Sequence, residues 1–205
     1  MTSAQTITLA LTGASGMPYA LRLLESLLVA GKTVYLLYSP AAQIVAQQEM
    51  GLSLPSASRD AQAQLRARFA QLPGQLRVFG REEWFAPIAS GSSVADAMVV
   101  CPCTMGTLAA IAGGMSDNLI ERAADVTLKE QRKLILVPRE TPFSALHLEN
   151  MLKLARLGAL ILPANPGFYH HPATLQDLVD FVVARILDHL GVPHDLLAPW
   201  GETPE

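Results

Sequence analysis

The feature that most constrains this chain is a rhythm. Short, almost wholly apolar runs alternate with longer segments of helical pattern. The runs are Thr6–Leu11, Thr33–Tyr38, Ala97–Cys101, Lys133–Pro138 and Ala159–Leu162. A strand with one face in water alternates polar and apolar residues, whereas a strand buried on both faces does not. These five runs therefore read as strands of a parallel sheet covered on both sides. Between them lie helical segments at Pro18–Ala30, Pro40–Met50, Asp60–Gln71, Met105–Ala112, Leu119–Gln131 and Ser144–Leu157, and Leu175–Leu190 follows the last strand. Pro18 suits a first helical turn and Gly31 follows that helix's end. Asn118 with Glu121 resembles a capping box, and Gly158 closes the helix before the fifth strand.

Repeated strand–helix units require right-handed crossovers. The expected fold class is α/β, a flavodoxin-like (Rossmann-like) doubly wound parallel sheet with helices on both faces, in one domain over residues 1–205. Five strands fit that order better than the six-stranded dinucleotide fold. Ligands of such sheets sit outside the carboxyl ends of the strands. The least regular stretch, Gly51–Ser93, reads as an insertion that reaches over a site or into a neighbouring subunit.

Composition narrows the function classes. Half of the 205 residues are hydrophobic, which a doubly covered sheet explains in part and burial in an oligomer explains further. The net charge is −3 and there is no basic stripe, which argues against nucleic acid as a partner. Cys101 and Cys103 are one residue apart, too close for zinc or thioredoxin-type spacing. They read as small apolar residues ending a strand, in a reducing compartment. Met1–Thr6 has neither a basic start nor an apolar signal core. The run Ile7–Leu11 is too short to span a membrane. A cytoplasmic protein is the simplest expectation.

The chemistry is expected at the strand ends. The first strand runs into Thr12-Gly13-Ala14-Ser15-Gly16, a turn that either offers backbone N–H groups to a phosphate or is only tight. It has neither the Walker pattern nor a dinucleotide fingerprint. Ser39, after the second strand, reads first as a helix N-cap. The third strand ends in Cys101-Pro102-Cys103-Thr104-Met105-Gly106-Thr107, small residues and hydroxyls that admit a flat ring closely. Arg122 and Lys129, two turns apart, share a helix face suited to a phosphate. The competing reading pairs both with Asp125. Arg139 and Glu140 stand between prolines at the fourth strand's end. They suit phosphate holding and proton transfer better than a surface ion pair worth about 0–1 kcal/mol. After the fifth strand comes a proline-rich loop with Phe168, Tyr169, His170 and His171. Adjacent histidines are poorly placed to share one metal and read as exposed. Arg185 either snorkels or anchors an anion. Trp200 lies in a short apolar tail. Glu49 carries no periodicity signal that separates a surface carboxylate from a site residue.

Taken together, five segments in order resemble the flavin prenyltransferase family of the UbiX type. They are Thr12–Gly16, Cys101 through Gly113, Asn118 to Lys129, Pro138-Arg139-Glu140-Thr141-Pro142, and Pro163 through Tyr169. The resemblance implies a single flavoprotein domain that assembles into homo-oligomers, typically dodecamers. It implies a metal-independent enzyme moving a dimethylallyl group from dimethylallyl phosphate to N5 and C6 of reduced FMN. The product would serve a UbiD-type decarboxylase, often in ubiquinone biosynthesis. By position, Gly13, Ala14, Ser15, Ser39, Thr104, Met105, Gly106, Thr107 and Arg122 would contact FMN. Arg139 would reach FMN or the prenyl phosphate, across a subunit boundary. Lys129, Glu140, Tyr169 and Arg185, with Ser90 and Gly91, would surround the prenyl phosphate. Glu49 and Ser15 would assist proton transfer, and Trp84 and Trp200 would help form the apolar wall. Two other readings stand beside it. A flavin-dependent cysteine decarboxylase should need an early histidine, which this chain lacks. A non-catalytic FMN carrier would not need the charged set around the prenyl phosphate.

Overall fold

The computed structural model describes residues 4–198. Six strands, β1 (Thr6–Leu11), β2 (Thr33–Tyr38), β3 (Gln75–Val78), β4 (Ala97–Cys103), β5 (Lys133–Pro138) and β6 (Leu160–Ile161), form one sheet in the order β3-β2-β1-β4-β5-β6. Every pairing is parallel. The five strands expected from the apolar runs stand in the flavodoxin order among themselves. The sixth, β3, corrects the expected count of five: it extends the edge beyond β2 and gives the full sheet the 3-2-1-4-5-6 order of the six-stranded dinucleotide fold. It escaped the apolar-run criterion because its pattern alternates: Leu76 and Val78 are buried while Gln75 and Arg77 are exposed. That is the signature of a one-faced edge strand.

Among the described residues seven α-helices cover the sheet: α1 (Met17–Val29), α2 (Pro40–Met50), α3 (Ser58–Arg68), α4 (Met105–Ala112), α5 (Leu119–Lys129), α6 (Ala145–Arg156) and α7 (Leu175–Leu190). Two cores separate the layers. One packs α1, α2, α3 and α7 on residues such as Ile7, Leu9 and Leu11 of β1. The other packs α4, α5 and α6 on the opposite face, through Ala10, Met98 and Leu136. Alternate residues of one strand thus feed both cores, which is why the runs are continuously apolar.

Helix limits follow local chemistry. α5 stops short of the expected Gln131 because Gln131 takes φ 53°, a left-handed conformation no helix continues through. α3 begins two residues before Asp60, which sits in the first turn where a carboxylate favours the positive dipole end. Asn118 caps α5, accepting from Ile120 N at 3.1 Å and Glu121 N at 3.2 Å. The reciprocal half of the expected box is displaced by one residue, since Glu121 accepts from Asp117 N at 2.9 Å. The ladder between β4 and β5 shifts between Val100 and Cys103, where Pro102 has no N–H to give. Cys101 and Cys103 are fully buried free thiols, and burial pushes both up from their ordinary value. Among the described residues no helix is long and apolar enough to cross a membrane.

Candidate active site

The carboxyl ends of β1, β2 and β4 open into a cleft of about 410 Å³. Three helix N-caps line it: Ser39 of α2, Thr104 of α4 and Asn118 of α5. Each helix start leaves backbone N–H groups without an intrahelical partner. Three such starts make the cleft a donor-rich, electropositive place. The hydroxyls add to it. Ser39 Oγ accepts from Ala42 N at 3.1 Å, so its own proton stays available. Thr104 accepts from Thr107 N at 3.1 Å and lies 3.0 Å from the Thr107 hydroxyl, to which it donates. That leaves the Thr107 proton to point outward. The sequence reading of Ser39 as an N-cap and its reading as a site residue both hold.

Buried Thr12 fixes this edge. Its hydroxyl donates to Pro102 O at 2.7 Å and accepts from Thr104 N at 2.8 Å, tying the end of β1 to the end of β4. Gly13 is required by close approach, because a Cβ there would lie 2.4 Å from Ala41 Cβ on α2. Gly106 faces open space, with nothing within 4 Å of a Cβ built on it. Any side chain at Gly106 would therefore project into the cleft it lines. Ala14 and Met105 are buried, so only their backbone can face a ligand.

Beside the cleft, the start of α1 holds an anion of the protein's own. Glu49, near the end of α2, accepts from Gly16 N at 3.0 Å and from Met17 N at 2.8 Å. Burial alone would push its carboxyl up. Hydrogen bonds from Ser15, Gly16 and Met17, with the Arg139 guanidinium nearby, outweigh that and hold it below the ordinary carboxylate value. Arg139 Nε donates to Ser15 O at 3.2 Å. Ser15, Glu49 and Arg139 are thus brought together from three elements. Arg139 and Glu140 do not pair: Glu140 instead accepts from Thr141 N at 3.2 Å.

The other expected residues lie elsewhere on the same chain. Arg122 Nε donates to Ala89 O at 3.0 Å and its Nη1 pairs with Asp125 at 2.9 Å. Lys129 pairs with Glu130, not Asp125. A Cβ at Gly91 would lie 2.9 Å from Lys129 Nζ. So Arg122 and Lys129 do share a face, and it looks onto the segment that carries Ser90 and Gly91. With Asn118 at the cleft, Lys129 stands roughly 16 Å further along α5, toward the amino ends of the strands. Tyr169 meets Phe181 edge-on, their rings 5.7 Å apart. Arg185 follows one turn later on α7, paired with Asp188 at 2.7 Å. Trp84 is exposed, and Trp200 lies outside the described residues. His171 is exposed as expected. His170 is not: its ring stacks on Phe181 at 5.1 Å and both nitrogens are buried without a hydrogen bond. One charged cleft residue carried no sequence signal, Arg81, which belongs to no strand-end motif, and Glu121 was read only as the partner of Asn118 in a capping box.

Comparison with known proteins was decisive. A model of the Flavoprotein family matches residues 1–187. The flavin prenyltransferase UbiX of Pseudomonas aeruginosa is 58% identical over 202 residues, covering 98% of this chain and 97% of that protein. The chain belongs to the UbiX flavin prenyltransferase family. The likeness extends to solved structures. A UbiX protein (PadA1) solved with FMN and dimethylallyl pyrophosphate superposes with a TM-score of 0.87 at 36% identity, covering 98% of this chain and all of that one (100%). A dodecameric, FMN-dependent UbiX-like decarboxylase from Escherichia coli O157:H7 gives a TM-score of 0.83 at 41% identity, covering 95% of this chain and 98% of that one. The UbiX fold thus accounts for the whole sheet and both helix layers.

Proposed function

We propose that this chain is a flavin prenyltransferase that takes a dimethylallyl group from dimethylallyl phosphate and attaches it to reduced FMN. Reduced FMN, when bound, supplies the N5 and C6 atoms to which the dimethylallyl group becomes joined. The observation that carries the reading is the pairing of two sites at one sheet edge: a donor-rich cleft and, beside it, the Ser15–Glu49–Arg139 cluster. The donor set fits a phosphate. Three N-caps and the Thr107 hydroxyl converge on it, and Gly106 leaves room that a side chain would fill. Ser39, Thr104, Gly106 and Thr107 would hold the phosphate of FMN, with the backbone of Gly13, Ala14 and Met105 alongside.

Glu49 and Ser15 are placed for the proton. Glu49 is a carboxylate at neutral pH and stands beside Ser15 and Arg139, where it can take the proton released when the new ring closes. Breaking an allylic C–O bond leaves a phosphate and builds positive charge on the prenyl group. Arg139, Lys129 and Arg185 would stabilise the phosphate, with Glu140 and Tyr169 beside it. A dry wall to which Trp84 contributes would keep water from the prenyl group.

Lys129, roughly 16 Å beyond Asn118 along α5, lies away from the cleft of its own chain, with Ser90 and Gly91 beside it. They would complete the site of a neighbouring copy in a homo-oligomer, a dodecamer. The prenylated product would pass to a UbiD-type decarboxylase. The test is mass spectrometry of flavin extracted after anaerobic incubation with reduced FMN and dimethylallyl phosphate. A product heavier than FMN by one C5 prenyl unit is expected. Unchanged FMN from protein that binds it tightly would overturn the assignment.

A further inference from the structure

We infer that Arg81 supplies the counter-charge for the phosphate of FMN, and so makes the cleft select FMN over riboflavin. The inference rests on the reading of the cleft as an FMN site and adds a residue to it. Arg81 follows β3, the edge strand hidden by its alternating pattern, and belongs to no strand-end motif.

Four observations support the assignment. Charge comes first: among the residues lining the cleft, Arg81 is the one cation and Glu121 the one anion. A phosphate dianion entering beside Glu121 meets repulsion that the three helix starts offset only in part. A guanidinium lining the same space reverses that balance and presents a planar fork suited to phosphate oxygens. Commitment comes second. Glu121 is already engaged, accepting from Asp117 N at 2.9 Å. The guanidiniums of Arg22, Arg122 and Arg185 are each tied to a carboxylate. Among the described residues the Arg81 guanidinium has no hydrogen bond or ion pair.

Third, Arg81 is held in place through its backbone. Its carbonyl accepts from Leu119 N at 2.8 Å, in the first turn of α5. Two residues earlier, Phe79 N donates to Leu36 O at 2.9 Å, and Gly80 N donates to Glu83 at 2.8 Å. The main chain that carries Arg81 is therefore pinned to the sheet edge and to the cap of α5, while the side chain stays free to close on a ligand. Fourth, the cleft is lined by hydroxyls, caps and small residues, with no aromatic side chain among them. That is a lining for the phosphate end of FMN and not for its ring. Riboflavin, which lacks the phosphate, gains nothing from Arg81.

The experiment measures dissociation constants for FMN and riboflavin by quenching of flavin fluorescence, using the full chain, R81A, R81Q and R81K. R81A and R81Q should each weaken FMN binding about tenfold or more, the scale of a charge-assisted hydrogen bond, and leave riboflavin within about twofold. R81K should recover part of the FMN loss. Weakening of FMN should also be smaller at high salt for R81A than for the parent. Equal loss for both flavins, or no loss for either, would overturn the assignment. A loss confined to the KM for dimethylallyl phosphate would move Arg81 to the other substrate and overturn it equally. If the parent binds neither flavin, the FMN reading of the cleft itself fails, a result distinguishable because the parent's own titration shows it. The Arg81 side chain is exposed and has no hydrogen bond or ion pair among the described residues, so R81Q should melt with the parent and serve as the folded control.

Discussion

Thr12→Val tests how the sheet edge is built. Thr12 is 1% exposed and its hydroxyl joins two strand ends. Valine matches its shape and removes only the hydroxyl. Pro102 O keeps one partner, because Thr12 N donates to it at 3.2 Å. Thr104 N loses the hydroxyl it donates to, and an orphaned buried donor costs about 1–3 kcal/mol. For a domain of this size each kcal/mol moves the melting midpoint by roughly 2–4 °C. The expected loss is therefore about 2 kcal/mol, or roughly 4–8 °C. Function should suffer with it, since Thr104 is the cap of α4 and lines the cleft. Thr12→Ser keeps the hydroxyl and loses one methyl, about 0.8 kcal/mol. The assay is urea unfolding and FMN titration at one fixed protomer concentration, because assembly makes apparent stability concentration-dependent. The reasoning is refuted if Thr12→Val unfolds within about 0.5 kcal/mol of the parent, or if serine is as damaging as valine.

Three further outcomes are expected. Glu49 is depressed in the folded state, so its contribution is present above the ordinary value of 4.5 and is lost as pH falls through the folded value. Glu49→Gln keeps an acceptor but loses the charge at the start of α1, costing about 0.3–1 kcal/mol at neutral pH, toward the low end because the group is partly exposed. Unfolding curves at pH 7 and at about pH 3 should show that gap closing in acid; a gap that persists there contradicts it. Lys129→Ala should leave FMN affinity unchanged in direct titration while slowing single-turnover prenyl transfer roughly a hundredfold; unaltered turnover removes Lys129 from the mechanism. Light scattering should give a mass well above 22.0 kDa for the active protein, and an active monomer would rule out a site shared between copies.

The fold was legible where burial leaves a one-dimensional trace. A strand covered on both faces has no polar position, so β1, β2, β4 and β5 announce themselves as apolar runs. β3 does not, because Gln75 and Arg77 face water. Arg77 even uses its position, lying over the rings of Tyr35 at 5.7 Å and Phe79 at 5.0 Å. The contact with Tyr35 joins residues far apart in the chain, and no local pattern encodes it.

The site divides along the same line. Ser39 and Asn118 were legible as caps because a cap acts on its own helix within three residues, whereas Thr104 was read only as a hydroxyl near a helix start and its capping role came from the structure. That the three caps share one cleft is a property of strand order, visible only once β1 lies between β2 and β4. Glu49 was illegible for the opposite reason. Its partners Gly16 and Met17 lie more than thirty residues away, and a carboxylate at a helix's end looks the same in sequence whether it meets water or another helix's start. Lys129 shows the limit of the single chain. Its spacing from Arg122 and its shared face were read correctly, yet within one copy that face looks onto Ser90 and Gly91 and away from the cleft. On the proposed reading, a residue with the chemistry of a phosphate ligand that stands away from its own chain's cleft would serve a second copy. The homo-oligomer is then part of the proposed catalytic argument, and mixing Lys129→Ala with Glu49→Gln subunits becomes its sharpest test. Each variant alone should transfer the prenyl group far more slowly than the parent, and co-assembled chains should regain activity at the sites where one copy supplies Glu49 and the other Lys129. Mixtures that stay inactive after verified co-assembly would place both residues in one chain's site and sink the shared-site reading.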